Sequence, residues 1–138
     1  MSNDKTLLQK AIADFLADRE LNNHSQKTIR AYEQRLRYFS TWVESAHNIT
    51  FADDLELAHL RGWIAYLQKT PTYRGKKLSD DSVQSYGRSL LAFCHWLEQE
   101  EVIAKVITKR FKLPKVEEKF VPTYTQEDVK MLLYQTAF

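Results

Sequence analysis

One cysteine, three glycines and three prolines leave little room for most of the architectures a 138-residue chain could adopt. A lone Cys94 closes no internal disulfide, and without a cysteine cluster there is no thiolate site for zinc or an iron–sulfur centre, so a reducing compartment is expected. So few turn formers argue against a sandwich or barrel of many short strands. No run reaches the roughly 20 apolar residues of a membrane span. The first residues, Met1 to Lys5, do not lead a basic stretch into an apolar block, and the expectation is a soluble cytoplasmic protein with no membrane partner. His24, His47, His59 and His95 do not fall at metal-ligand spacings. Nor does any nucleophile–base set stand out. The sequence therefore predicts no cofactor, no metal and no self-contained enzyme.

The net charge is only +2, but the two signs are segregated. Residues 19–37 carry Arg19, Lys27, Arg30, Arg35 and Arg37 against two glutamates, and residues 69–88 carry Lys69, Arg74, Lys76, Lys77 and Arg88 against two aspartates. Residues 105–119 hold six basic side chains against two acidic ones. Acid gathers at Asp53, Asp54 and Glu56 and again at Glu98, Glu100 and Glu101. Basic and acidic faces of this kind fit a footprint on phosphates, and they equally fit ordinary solvated helix surface.

Apolar residues recur at helical spacing along most of the chain. Leu8, Ile12, Phe15 and Leu16 define a helix from about Lys5 to Leu21. Ser25 caps a second whose face reads Ile29, Tyr32, Leu36, Phe39 and Val43, running to about Ser45. Leu57, Leu60, Ile64 and Leu67 mark a third that stops before Pro71. Ser79 caps a fourth with Val83, Tyr86, Leu90, Phe93 and Leu97. Val102, Ile103, Val106 and Ile107 suggest a short fifth over Glu100–Lys109. Residues 111–122, with Pro114 and Pro122, read as a linker. Thr125 and Asp128 resemble a capping box ahead of Val129, Leu132 and Leu133. The expected fold is all-α: a bundle of four main helices plus a short fifth over 1–110, a linker over 111–122, and the start of a further unit over 123–138.

The second and fourth helices also align with each other at a constant offset of 54 residues. Ser25, Tyr32, Leu36, Phe39, Trp42 and Glu44 recur as Ser79, Tyr86, Leu90, Phe93, Trp96 and Glu98. A shared core accounts for the aromatic and leucine matches. It does not require Ser-x-x-Thr/Ser at both N-termini, where free N–H groups, hydroxyls and nearby cations suit phosphate oxygens. If the two helical hairpins lie side by side, both N-termini point the same way. Trp42, Trp63 and Trp96 lie in register with the core, which favours packing over base stacking.

The succession Ser25-Gln-Lys-Thr28-Ile29-Arg-Ala-Tyr32, Leu36, Phe39, Trp42, Leu57 to Leu67, and Ser82-Val83 through Phe93-Cys-His-Trp96-Leu97 resembles the N-terminal core-binding, or SAM-like, domain of the tyrosine recombinases, the phage-integrase family. Leu113-Pro114-Lys115 and Pro122 to Val129 are similar to that family's passage into its catalytic domain. The resemblance implies that this domain grips one face of double-stranded DNA during integration or recombination. It further implies that the parent enzyme acts as a tetramer in the prokaryotic cytoplasm or nucleoid, and that the catalytic residues lie beyond Phe138. No catalytic residue is assigned here. Candidate DNA contacts are Ser25, Lys27, Thr28, Arg30 and Arg35 on the second helix. On the fourth helix and the loop before it they are Arg74, Lys76, Lys77, Ser79, Ser82, Gln84, Ser85 and Arg88. Lys27, Thr28, Lys76, Lys77 and Ser82 are read as phosphate contacts, and Arg30, Gln84 and Arg88 as groove contacts. The rival reading is an all-α protein-interaction module with no DNA role.

Overall fold

The computed structural model describes residues 4–71 and 75–116. These form four helices, α1 (Leu8–Leu21), α2 (Gln26–His47), α3 (Leu57–Lys69) and α4 (Asp80–Gln99), with a 3-10 turn at Ala52–Asp54. Among the described residues there is no strand, only two isolated bridges, Leu7 with Phe51 and Pro71 with Lys77. No described helix is long and apolar enough to cross a membrane.

The repeat is visible in the caps. Ser25 Oγ accepts from the Thr28 N–H and Ser79 Oγ from the Ser82 N–H, each at 3.2 Å. The paired hydroxyls stand 2.9 and 3.0 Å apart. Serine suits this place because its short side chain reaches a first-turn N–H that has no helical partner. The matched apolar positions are equally buried: Leu36 and Leu90 are 1% exposed, Phe39 and Phe93 fully enclosed. Trp63 is fully buried, and Trp42 and Trp96 lie at the core edge. Cys94 is enclosed as well, its thiol pushed up by burial and by the nearby Glu98, as befits a small apolar residue rather than a nucleophile.

Three details differ from the sequence pattern. Helix α1 begins at Leu8, not Lys5, because the preceding residues are held by the loop after α2. Thr6 N–H donates to Asp53 Oδ1 at 2.7 Å, Ala52 N–H to Thr6 O at 2.8 Å and Leu8 N–H to Thr50 O at 2.9 Å. These bonds occupy backbone groups that a longer helix would need. Asp53 and Asp54 thus pin the chain start, the latter through Lys5 at 2.8 Å. Helix α2 gains its last residues because Asn48 adopts the left-handed conformation, φ 57°, that closes a helix.

The third difference is the short fifth helix over Glu100–Lys109, which does not form; residues 101–110 are turns, bends and irregular chain. Glu101 turns left-handed at φ 55°, and the Val102 N–H returns to Leu97 O at 2.9 Å. The β-branched residues that follow favour helix weakly. A stronger competitor for their amides is the Glu98 carboxylate, which accepts from Ile107 N–H, Thr108 N–H and the Thr108 hydroxyl at 2.8, 3.0 and 2.7 Å. Ile103 and Ile107 are buried as expected, whereas Val106 is 67% exposed. Downstream, Phe111 is buried and Leu113 packs on the core, so the first residues read as linker are seated on the bundle.

At the start of α3, the Glu56 N–H donates to His59 Nδ1 at 2.9 Å. That acceptor exists only in the neutral imidazole. Burial first, and His47 second, lower the His59 pKa from the ordinary 6.5. The folded state therefore binds fewer protons than the unfolded chain. Its stabilisation is complete above about pH 6.5 and is lost as pH falls through the lower folded value. Thermal melts at pH 7.5 and 5 should show a larger decrease for the wild type than for His59→Gln, by about 2–4 °C, since glutamine accepts without titrating.

Candidate nucleic-acid interface

Arg35 of α2 and Ser89 of α4 occupy equivalent places in the repeat, and they meet: Arg35 Nη1 donates to Ser89 Oγ at 3.2 Å. The same guanidinium lies 5.8 Å from the Tyr86 ring centroid. This contact marks where the two helices cross. It stands nine residues from the first residue of either helix, about 13 Å of helix.

Two open grooves flank the crossing. Thr28, Tyr32, Arg35, Ser85, Arg88 and Ser89 line one, of about 230 Å³. Gln34, Arg35, Asp81, Ser82, Ser85 and Tyr86 line the other. Arg35 and Ser85 are therefore walls of both. Each groove takes a hydroxyl from one helix N-terminus, Thr28 in the first and Ser82 in the second. Thr28 and Ser82 thus line different grooves rather than one. An arginine and several hydroxyls in each groove supply hydrogen-bond donors at a spacing that anionic oxygens can bridge. Asp81 opposes an anion in the second groove, and the first has no carboxylate in its lining.

Of the thirteen candidates, the structure gathers Thr28, Arg35, Ser82, Ser85 and Arg88 along these grooves. Arg35 is less free than the sequence reading assumed, since part of its fork holds Ser89. Ser25 and Ser79 are exposed cap residues that order the first turns. Lys27, Arg30, Lys76 and Lys77 are exposed beside them in sequence and line neither groove. Gln84 is half-buried and also lines neither. Arg74 lies outside the described residues, as do Thr125, Asp128 and the apolar positions that follow them. Sequence reasoning missed Ser89, Gln34 and Tyr86. The 54-residue offset carried a signal for Ser89, because it sets a small hydroxyl opposite the long Arg35 at the position where the helices touch.

The second groove continues into an apolar one lined by Tyr38, Tyr66, Leu67, Leu78 and Tyr86. Burial, and then a hydrogen bond with Tyr66, push the Tyr38 phenol up to about 12. It stays protonated at neutral pH and is no ready nucleophile. Among the described residues no group of three or more His, Cys, Asp or Glu side chains could hold a metal ion.

Residues 12–75 match the family model of the phage integrase N-terminal SAM-like domain. A tyrosine recombinase XerD of Listeria innocua is 30% identical over 109 residues, 79% of this chain and 35% of that protein. A tyrosine recombinase of Thermosipho africanus is 26% identical over 121 residues, 88% of this chain and 40% of that protein. The chain thus spans little more than a third of the length of the curated relatives it matches. In fold it is similar to the crystal structure of the N-terminal domain of a phage integrase/site-specific recombinase from Haloarcula marismortui. There the TM-score is 0.67 at 19% identity, over 81% of this chain and all of the other.

Proposed function

We propose, from the premise that this chain carries the N-terminal SAM-like domain of the phage integrase, or tyrosine recombinase, family, that its α2–α4 face grips duplex DNA. The grip serves strand exchange catalysed by residues outside the chain, in a parent enzyme working as a tetramer. The observation that carries the reading is the pair of grooves at the crossing, each built from one helix N-terminus and the middle of the other helix. In this reading Thr28 and Ser82 meet phosphate oxygens at helix starts, where the dipole favours negative charge. Arg88, exposed on the groove edge, can reach a guanine edge in the major groove. Lys27, Lys76 and Lys77 widen the positive rim and add attraction that is indifferent to sequence.

The test is fluorescence anisotropy of the chain with labelled duplexes of random sequence at several salt concentrations. Binding is expected, with log K falling linearly in log salt at a slope of about −0.9 per neutralised phosphate. Salt-insensitive binding, or none at low salt, overturns the reading and leaves a helical protein-interaction module. A finer prediction separates the two contact types. Arg88→Ala should cost roughly 1–3 kcal/mol on a cognate site and flatten preference at one base pair, with little change on random duplex. Competition anisotropy against single-base variants of the site measures it.

A further inference from the structure

After α4 the chain turns back and runs along the bundle, pinned at four points. Lys105 Nζ reaches Glu56 Oε1 at 3.2 Å. The Glu98 carboxylate holds Ile107 and Thr108 through three hydrogen bonds. Arg61 Nη2 donates to Arg110 O at 3.3 Å. Leu113 then packs directly over Gly87, where a Cβ on residue 87 would meet its side chain and would also stand 3.1 Å from Ile64 Cδ1.

The pins are ordered. Glu56, Arg61 and Ile64 advance along α3 while Glu98 and Gly87 step backwards along α4, so the segment lies over the seam between those helices. The eleven residues from Gly87 to Glu98 span about 16 Å of helix. From Thr108 the chain makes a turn, the Phe111 N–H returning to Thr108 O at 3.0 Å, and then runs on to Leu113, whose side chain reaches the Gly87 notch. Ile107, Thr108 and Phe111 are each at most 6% exposed along it. Residues of a free linker would not be enclosed in this way.

We infer that residues 105–113 are a latched strap, with Gly87 and Glu98 as the positioning residues that fix where the chain leaves the bundle. Gly87 supplies a notch on α4 that a side chain would fill. Glu98 supplies acceptors for two amides that a fifth helix would otherwise have used. The strap returns the chain from the end of α4 to its middle, between Tyr86 and Arg88. Whatever follows Leu113 therefore departs level with the α2–α4 grooves rather than from the end of the bundle. Only that last consequence rests on the DNA-grip reading; the latch itself does not.

Limited trypsin digestion of the full chain tests the latch without DNA, because Lys109, Arg110, Lys112 and Lys115 lie on the strap or at its end. Leu113→Ala is expected to speed cleavage after Lys112 and Lys115 at least tenfold, with amide exchange at Phe93 unchanged. Gly87→Ala should speed the same cleavages several-fold in the wild-type background and have a much smaller further effect when Leu113 is already alanine, where only the 3.1 Å approach to Ile64 Cδ1 remains. Glu98→Gln should instead speed cleavage after Lys109 and Arg110, whose side chains are already exposed. A glycine with a merely structural role predicts the opposite for Gly87→Ala, since alanine inside a helix normally stabilises. Unchanged or slower strap cleavage in both Gly87→Ala and Leu113→Ala overturns the latch. So does Phe93 exchange that rises by the same factor as cleavage, which would report loosening of the whole bundle. Because DNA is not a readout, a failed DNA-binding measurement leaves these outcomes as they stand.

Discussion

Changing Lys27, Lys76 and Lys77 together to Glu should weaken binding to random-sequence duplex by about 100-fold at physiological salt and make the log–log salt slope shallower by about 2.7. All three side chains are exposed, so the substitution removes positive charge without touching the core. Lys27 lies in the first turn of α2, and Lys76 and Lys77 just precede the Ser79 cap of α4. Each stands close in sequence to a helix N-terminus, where a phosphate gains from the dipole and from the lysine together. The loss should be equal for all DNA sequences, because a lysine on a phosphate carries no base information. Anisotropy titrations at three or more salt concentrations, with a melt to show that the variant is folded, measure both affinity and slope. An unchanged slope would mean that these lysines neutralise no phosphates and that the grooves hold whatever grip exists.

Much of this molecule was legible in its sequence because helical periodicity and serine caps are local signals. The face Ile29, Tyr32, Leu36, Phe39, Val43 and its copy 54 residues later needed no tertiary information, and both caps form as the Ser-x-x-Thr/Ser pattern indicates. What was not legible depended on partners far away in the chain. The start of α1 is set by Asp53 and Thr50, which lie more than 40 residues downstream. The fifth helix failed because a carboxylate on the preceding helix claimed two of its amides. Apolar spacing alone placed Ile103 and Ile107 correctly in the core and could not see Glu98. The grooves were half visible. Thr28, Ser82 and Arg88 followed from their positions on the helices, whereas Arg35's bond to Ser89 required the crossing point, which no single-helix pattern contains.

Phe15→Ala is expected to destabilise the fold by about 3–5 kcal/mol, lowering Tm by roughly 10–20 °C. Phe15 is the α1 side chain that meets both copies of the repeat. Its ring stands edge-on to Tyr32 of α2 at 5.3 Å and to Phe93 and Trp96 of α4 at 5.5 and 5.7 Å, with the Arg19 guanidinium 5.0 Å from its centroid. It is fully enclosed, so truncation loses the transfer energy of the ring and leaves a cavity walled by three other aromatic rings, which pack too rigidly to fill it. Leu16, its neighbour on the same helix at 8% exposure, should cost less, because a site nearer the surface can relax or admit water. Urea unfolding followed by tryptophan fluorescence measures the difference, with Trp96 reporting beside the cavity and Trp63 from across the core. The consequence reaches the proposed DNA-binding face through Tyr32, which packs over Phe15 and lines the groove with Thr28 and Arg88. At a temperature where Phe15→Leu remains folded, that milder change should cost about 1–2 kcal/mol in stability and weaken DNA binding only slightly, if Tyr32 keeps its place. A large loss of binding in a folded Phe15→Leu protein would show instead that the groove depends on the ring beneath it as well as on the polar groups at its surface.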